Sequence, residues 1–275
     1  MSSGSLLLAG KIRKHAVEMV HNARASHIGS ALSVADIVAV LYSEILHVDC
    51  THPQAPDRDR FILSKGHAGV AVYAALAERG FFEVSCLAEY GTDGASLSGH
   101  ISHKGVSGVE FSTGSLGHGL SIGAGMALAA KLDGRPNHVY VVLGDGECNE
   151  GSVWEAALFA AHHKLTNLTI VVDHNKMQGL GFCDDVLSLR PFSKKWESFG
   201  WAVADIDGHD HQVLEQALKS QEHLSAPLCV IAHTVKGKGV SFMENQLLWH
   251  YRDPQEEHYT RAISELENNM NGSIR

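Results

Sequence analysis

The sequence predicts an α/β fold in which a doubly wound, mostly parallel sheet is flanked by helices. Three apolar runs, "HVYVVL", "LTIVVD" and "LCVIAH", lack strict alternation, which is typical of strands buried on both faces of a parallel sheet. Helical patterns separate these runs, as repeated strand–helix units require. The 275 residues are 44% hydrophobic and 19% charged, which suffices for one large domain. Ligands of such sheets bind beyond the carboxyl ends of the strands.

The first part of the chain predicts two helices. Apolar residues recur at helical spacing over residues 12–23 and predict the first of them. After a break at "SHIGS", Ser33 and Asp36 have the spacing of a capping box, which predicts the start of a second helix that ends near residue 46.

The rest of the chain alternates strands and helices around one long loop. Segment 85–113 is rich in glycine and serine, and a loop of this length in a compact domain is usually functional or mobile. Asp210 is expected to cap the last helix of the sheet domain, with His209 and His211 in the adjoining loop and cap. The remaining predicted elements are a strand at 61–63, helices at 68–80 and 116–132, a strand at 138–143, a helix at 152–163, strands at 168–173 and 201–206, a helix at 212–221 and a strand at 228–233.

Composition and charge exclude several classes of function. A net charge of −9 argues against a nucleic-acid partner, because no basic face would dominate the surface. No apolar run approaches the roughly 18 residues needed to cross a bilayer, and the N-terminus lacks the basic region of a signal peptide, so no membrane partner is expected. Five cysteines without a C-x-x-C pair are typical of reduced thiols in a cytoplasmic protein.

Polar side chains follow two predicted strands of the sheet. Asp145 lies between Gly144 and Gly146, and Asn175 follows the next strand. Because parallel strands end at the same edge of a sheet, these side chains are expected to converge and to offer oxygen ligands to a hard cation such as Mg²⁺ or Ca²⁺. The flanking glycines would let a diphosphate approach the backbone. For the tripeptide alone, the alternative is a simple turn with a capping aspartate.

Several separate motifs resemble one family. "GDGECNEGSVWEAALFAAHHKLTNLTIVVDHNK" resembles the signature of thiamine-diphosphate enzymes. Over about residues 10–250, the chain resembles the N-terminal, diphosphate-binding half of a transketolase, in the order and spacing of "ARASHIGSALSVADIVAVLY", "DRFILSKGHA", "SGHISHKGVSGVEFSTGSLGHGLSIGAGMA" and "AHTVKGKGVSFMEN". The resemblance implies a thiamine-diphosphate-binding domain of the PP type, the type that holds the diphosphate.

The resemblance also implies a set of cofactor-binding residues. Asp145 and Asn175 would bind the metal through their side chains and Met177 through its carbonyl, with Mg²⁺ as the metal and Ca²⁺ as the alternative. Glu150 would belong to a network that couples paired active sites, or else would be a first-turn acid that complements the helix dipole. Glu147 has no family role and is interpreted as a solvent-facing or helix-start acid beside the cofactor. The residues placed against the cofactor are His67, Gly114, Ser115, Leu116, Gly144, Asp145, Gly146, Glu147, Asn175, Met177 and His250.

Three histidines match catalytic positions of the family. His67 matches a histidine near the cofactor, and His100 matches one that touches the hydroxyl end of the substrate. His250 matches a late histidine near the diphosphate, although Tyr251 stands where glycine is common. Histidine suits this chemistry because the sugars lose and gain hydroxyl protons near neutral pH. For each histidine alone, a packed or surface role is the alternative.

Two further histidines lie in motifs that depart from the family pattern, and two lysines have open roles. His27 matches the substrate histidine of the family's "GHPG", but Ser26 and Ile28 replace glycine and proline. His118 replaces a common glutamine, which leaves its role open. The two lysines of "KGKG" are expected either to close over the cofactor or to be solvated in a loop.

The resemblance implies a two-chain enzyme that transfers a two-carbon ketol unit between sugars. In the family, the glutamate that activates the aminopyrimidine belongs to a second domain, and residues 1–250 are predicted to form only the first. A C-terminal transketolase subunit is therefore expected as partner, with two copies of each chain, and residues 251–275 are predicted to be a helical tail that contacts it. The donor alternatives are a ketose phosphate, an apiose-type sugar or a sulfosugar such as 6-deoxy-6-sulfofructose. A non-catalytic cofactor-binding scaffold is the alternative from another functional class.

Overall fold

The parallel sheet is present in the computed structural model, which describes residues 3–273. The sheet contains β1 (Arg60–Leu63), β2 (Val139–Gly144), β3 (Leu168–His174), β6 (Ala202–Asp207) and β7 (Leu228–His233), in the order β1-β2-β3-β7-β6 and with every pairing parallel. A hairpin of β4 (Met177–Gln178) and β5 (Gly181–Phe182) follows β3. The helices are α1 (Ser3–Ala23), α2 (Ile28–Val40, continued by a π-helical turn, Leu41–Ile45), α3 (Gly69–Glu78), α4 (His118–Leu132), α5 (Gly151–His162), α6 (Cys183–Leu187), α7 (Phe192–Ser198), α8 (His211–Lys219) and α9 (Glu256–Ser273).

The two faces of the sheet form separate apolar cores. Tyr140 and Val142 of β2 pack in one cluster with residues of α1, α2 and α3. Val141 and Leu143 pack in the other, with residues of α4 and α5. Every residue of β2 is buried, which explains why the central strands read as continuous apolar runs. The doubly wound α/β prediction is confirmed.

Ser33 and Asp36 do not form a capping box, and that prediction was wrong. Helix α2 begins at Ile28, so both residues lie inside it and are buried. Ser33 Oγ donates to Asp173 Oδ2 at 2.7 Å. Asp36 accepts two hydrogen bonds from the Arg13 guanidinium, at 3.0 and 2.5 Å. Ser33 and Asp36 therefore form hydrogen bonds with other buried polar side chains, and not with the free N–H groups at a helix start.

His209 and His211 also bind Asp36, a role that the sequence interpretation as loop and cap residues missed. His209 Nδ1 lies 2.6 Å from one carboxylate oxygen, and His211 Nε2 lies 3.0 Å from the other. His209 Nε2 accepts the Val235 N–H at 2.9 Å, so Nδ1 carries the proton. Burial by itself would raise the pKa of Asp36, but Arg13 and the two histidines hold it well below its ordinary value. The network thereby joins α1 and α2 to the segments at the ends of β6 and β7.

The C-terminal helix α9 packs on α1 of its own chain. Leu266 is buried in the core, and Lys14 pairs with Glu267 at 2.7 Å. The His21 ring stacks on Tyr259 with ring centroids 3.8 Å apart. The contact of this tail with a partner subunit stays a prediction.

The segment Ile28–Ile45 is long and apolar enough to cross a membrane by length and composition alone, contrary to the sequence expectation. Of that window, 89% is buried inside the domain. A core helix passes the same test, so this segment is weak evidence for a membrane span.

Replacing Asp210 by alanine is expected to lower the free energy of unfolding by about 1 kcal/mol, because the residue is a helix N-cap. Its carboxylate accepts the backbone N–H groups of Gln212 and Val213 at 2.9 and 3.1 Å, as the sequence predicted. Urea unfolding measures the loss, with Asp93→Ala in an exposed loop as the control. Equal stability losses in the two variants would contradict a capping role.

Candidate active site

The cavity of interest lies at the carboxyl edge of the sheet and encloses about 410 Å³. Gly144 at the end of β2 pairs in register with Asp173 of β3, so the segments that follow these strands start side by side. The cavity is lined by His27, Ser30, Lys65, His67, His100, Gly114, Leu116, Gly144, Asp145, Gly146, Glu147, Asn149, Glu150, Asn175, Met177, Gln178, Gly179, Lys236 and His250. The structure therefore brings together all the predicted site residues except Ser115, which is exposed and does not line the cavity.

Asp145, Asn175 and Met177 form a group of oxygen atoms at the floor of this cavity. The Asp145 carboxylate accepts the Gly146 N–H at 2.7 Å and the Lys176 N–H at 2.5 Å. Asn175 Oδ1 accepts the Met177 N–H at 3.1 Å. These hydrogen bonds hold the loop after β3 against the loop after β2, as the convergence of strand ends predicted.

This group fits a small divalent cation. It contains one carboxylate, one amide oxygen and one carbonyl oxygen, which are the donor types that Mg²⁺ and Ca²⁺ prefer. Asp145 Oδ2 already contacts the Lys176 N–H and His174 Nδ1, but Asp145 Oδ1 and Asn175 Oδ1 each accept one backbone N–H and, among the described residues, the Met177 carbonyl accepts only Lys236. Because each oxygen can accept more than one contact, these three atoms keep a lone pair for a metal. No cluster of three or more His, Cys, Asp or Glu side chains that could hold a metal occurs within residues 3–273.

Glu147 is a buried carboxylate in the first turn of a short 3-10 helix (Gly146–Asn149), so the helix-start interpretation is confirmed and the solvent-facing one was wrong. Its side chain accepts hydrogen bonds from Ser64 Oγ, from the Gly117 N–H at 2.8 Å and from the Gly144 N–H at 3.0 Å. Burial raises the pKa of Glu147 despite these donors. The residue joins the ends of β1 and β2 to the start of α4. Gly117 has φ +84°, a conformation that a side chain would strain.

Lys65 and Asp173 form a fully buried ion pair beneath the cavity. The side chains are 1% and 0% exposed, and the Lys65 ammonium donates to Asp173 Oδ2. Ser33 and Thr234 donate to the same carboxylate. Lys65 was not identified from the sequence, although a lysine directly after a buried strand in "SKGHAG" is a usable signal. It brings a positive charge to the wall of the cavity.

Four histidine rings meet at the mouth of the cavity. The ring centroid of His27 lies 5.2 Å from that of His67, 5.9 Å from His100 and 4.9 Å from His250. His67 Nε2 lies 3.1 Å from Ser30 Oγ. The histidines were chosen from three separate motifs and the late "LLWHYRDP" segment, and the fold places them around one space.

Three of these histidines are uncharged at neutral pH. Burial, aided by the neighbouring His100, Lys236 and Lys65, lowers the pKa of His27 to about 4. Burial lowers the pKa of His250 to about 3 and that of His67 well below its ordinary value, with nearby positive charges adding to both effects. Neutral imidazoles can both donate and accept hydrogen bonds, so the cluster suits hydroxyl groups of an uncharged sugar backbone.

Lys236 is the lysine of "KGKG" that enters the cavity, and it is 1% exposed. Its ammonium donates to the Met177 carbonyl and to His250 Nδ1, each at 3.1 Å. Because an ammonium group only donates, His250 Nδ1 must accept, and the proton of neutral His250 lies on Nε2. Burial lowers the pKa of Lys236 to about 8, with Lys65 adding to the effect and Asp145 opposing it.

Several predicted residues form the exposed rim. Gly114 lies against His100, since a Cβ built on it would be 3.5 Å from the ring. Leu116 and Glu150 line the rim and are exposed, and Glu150 immediately precedes α5. His118 begins α4 and does not line the cavity. The rim therefore presents an apolar group and a carboxylate to whatever lies above the cavity.

Comparison with known proteins identifies a matching family model over residues 7–260, described as "Transketolase, thiamine diphosphate binding domain". A 6-deoxy-6-sulfo-D-fructose transketolase subunit of a Clostridium species is 40% identical over 260 residues, with 94% of each chain covered. An apulose-4-phosphate transketolase subunit of Phocaeicola vulgatus is 41% identical over 261 residues, covering 94% of this chain and 92% of the relative.

A solved transketolase structure is also similar to this chain in fold. The crystal structure of a transketolase from Campylobacter jejuni superposes with a TM-score of 0.90 and 28% sequence identity. The match covers 97% of this chain and 43% of the Campylobacter chain, so this chain spans less than half the length of that transketolase.

Proposed function

The chain belongs to the transketolase family, and from that premise we propose that it is the cofactor-binding subunit of a two-chain transketolase. The proposed reaction transfers a two-carbon ketol unit from a ketose donor to an aldose acceptor. When bound, thiamine diphosphate supplies the carbanion chemistry of this transfer. The protein's part is to bind and orient cofactor and sugars and to move hydroxyl protons.

The observation that carries this proposal is the pairing of two groups in one cavity. The oxygen ligands Asp145, Asn175 and the Met177 carbonyl suit Mg²⁺, with Ca²⁺ as the alternative, and a metal held there would bind a diphosphate. The histidine cluster lines the same cavity and suits sugar hydroxyls. A non-catalytic scaffold would require the first group but not the second.

A partner subunit is proposed to complete the site. Asp145 belongs to the proposed metal group, Glu147 accepts hydrogen bonds from three donors, and Glu150 is exposed at the rim. As the resemblance to transketolases implies, the activating glutamate is proposed to come from a C-terminal transketolase subunit, in an assembly of two copies of each chain. The Phocaeicola relative matches over almost its full length and is itself named as one subunit of a transketolase, which supports this division. Glu150, exposed at the rim, is proposed to contribute to the coupling between sites.

The donor is proposed to be a ketose that carries an anionic group at the end remote from the reacting carbonyl. The two relatives are named for a sulfonated sugar and for a phosphorylated one, which share this feature. His27, His67 and His250 of the cluster are uncharged at neutral pH, so these rings suit the hydroxyl end of the donor rather than the anionic end. A cytoplasmic location is proposed as well, because all five cysteines are free thiols.

Adding a C-terminal transketolase subunit, thiamine diphosphate and Mg²⁺ is expected to stabilise the chain and to allow ketol transfer. With a C-terminal transketolase subunit from the same genome present, thiamine diphosphate plus Mg²⁺ at 100 times Kd should add about 2.7 kcal/mol to the free energy of unfolding. Thermal unfolding measures binding, and an aldose-dependent ketol transfer assay with sulfofructose and apulose 4-phosphate measures activity. Efficient transfer by the single chain would overturn the two-chain proposal. If the chain with its partner shows no cofactor binding and no ketol transfer, the proposed function itself is overturned.

A further inference from the structure

A serine beside the cluster contacts its central histidine. Ser26 Oγ lies 2.9 Å from His27 Nδ1, within hydrogen-bond distance. His27 is the ring that neighbours all three others, and Ser26 is half-buried between α1 and α2. The bond occupies one of the two nitrogens through which His27 can act. Since Nδ1 is engaged, Nε2 is the nitrogen left to face a bound sugar.

The backbone of His27 is held as firmly as its ring. Its φ is +73°, a left-handed conformation that is uncommon for a residue with a side chain. The His27 N–H donates to the His250 carbonyl at 2.9 Å, and the His27 carbonyl accepts the N–H of Ser30 at 3.1 Å as α2 begins. With the backbone held, the remaining freedom lies in the side-chain torsions, and the Ser26 hydroxyl restrains them.

Because the His27 ring is neutral, hydrogen bonds rather than an ion pair fix its orientation, and Ser26 is the partner of Nδ1. Burial keeps this imidazole neutral at physiological pH, and a neutral imidazole carries one proton that either nitrogen can hold. The Ser26 hydroxyl can donate to Nδ1 or accept from it, so the contact fits either tautomer and restrains the direction of the ring. An alanine or glycine at position 26 would leave the ring angle unrestrained.

We propose that Ser26 is a positioning residue that orients the His27 ring through Nδ1, so that Nε2 is aimed at the donor sugar. This inference rests on the proposed function, because it assigns Ser26 a task in ketol transfer. Ser26 acts through His27 and does not itself touch the sugar. Its contribution lies in the transfer steps and not in holding the cofactor, whose oxygen ligands lie at the floor of the cavity.

Three variants in the assembled two-chain enzyme test this assignment. Ser26→Ala is expected to lower kcat about three- to tenfold, the range for losing one neutral hydrogen bond, with the affinity for thiamine diphosphate unchanged. Ser26→Thr keeps the hydroxyl and should restore most of kcat. Asn22→Ala, at an exposed position of α1 in the same chain segment, is the matched control and should behave as wild type. The ¹⁵N shifts of the His27 ring should match in wild type and Ser26→Thr and differ in Ser26→Ala, because only Ser26→Ala loses the hydrogen bond at Nδ1.

The outcomes separate this inference from the proposed function. If the wild-type assembly binds cofactor and transfers ketol units while Ser26→Ala retains wild-type kcat and wild-type His27 ring shifts, the assignment of Ser26 is wrong. If Ser26→Thr falls as far as Ser26→Ala, the hydroxyl is not the active feature, and the assignment is again wrong. If the wild-type assembly shows no transfer at all, the proposed function fails first, which the wild-type control reveals directly.

Discussion

Asp145→Asn is expected to weaken Mg²⁺ binding more than about 100-fold, beyond the 10- to 100-fold typical of residues that only support a ligand. Asp145 supplies the one formal negative charge among the three proposed metal ligands. Asparagine keeps the size of the side chain but replaces one oxygen by an NH₂ group. That group would face the N–H of either Gly146 or Lys176, both of which now donate to the carboxylate. Charge and local geometry are lost together, so thiamine diphosphate binding should fall with the metal.

Calorimetric titration of the two-chain assembly with Mg²⁺ and thiamine diphosphate measures this effect. Asp184→Asn is the matched control, because it makes the same chemical change at an exposed site outside the cavity. Circular dichroism establishes that both variants keep the fold. Wild-type Mg²⁺ affinity in Asp145→Asn would remove Asp145 from the metal site, and an equal loss in Asp184→Asn would point to a general charge effect.

The fold could be predicted from the sequence because its main signal is local. Each central strand is buried on both faces and therefore appears as a continuous apolar run, such as residues 139–143. The order of the sheet strands followed from these runs, whereas α6 and α7 lie in a segment that was interpreted as a loop. The edge strand β6 was also found, although its residues are only partly buried, because "WAVADI" is followed by a helical pattern.

Pairings between distant residues could not be predicted from local patterns. The S-x-x-D spacing of Ser33 and Asp36 is a good helix-start signal, but α2 begins five residues earlier and buries both. Asp36 meets Arg13, 23 residues away, and His211, 175 residues away, and nothing in the spacing of these residues reveals those contacts. The same polar residue types serve caps and buried networks, so only tertiary structure separates the two roles.

The residues of the candidate site that belong to motifs could be predicted from the sequence. The residues that support them through side-chain contacts could not. Asp145 and Asn175 follow strands that the sequence identifies, so their convergence could be deduced from the topology of a parallel sheet. Lys65 and Ser26 were missed as functional residues because their partners, Asp173 and a histidine ring, are defined by packing. Supporting residues of a site leave weaker sequence signals than the ligands that they hold.

Asp173→Asn is expected to lower the free energy of unfolding by about 3–5 kcal/mol, the usual cost of leaving a buried charge without its partner. Asparagine has nearly the same volume and can still accept from Thr234, but its NH₂ group would then face Lys65 and Ser33, so the loss combines the unpaired charge of Lys65 with lost hydrogen bonds. Lys65→Met together with Asp173→Asn removes both charges and should recover most of the stability. A double-mutant cycle measured by urea unfolding gives the interaction energy of the pair.

The pH dependence of this loss has a definite sign. Burial by itself would raise the pKa of Asp173, but the Lys65 ammonium and the hydrogen bonds from Lys65, Thr234 and Ser33 hold it below its ordinary value. A carboxyl group whose pKa is lowered by folding stabilises the protein above its unfolded pKa, about 3.9, and loses that contribution as the pH falls through the folded pKa. The stability difference between wild type and Asp173→Asn should therefore be constant near neutral pH and shrink below about pH 4. A difference that is small at pH 7, or that grows on acidification, would show that Lys65 does not depend on Asp173 for its burial at the wall of the cavity.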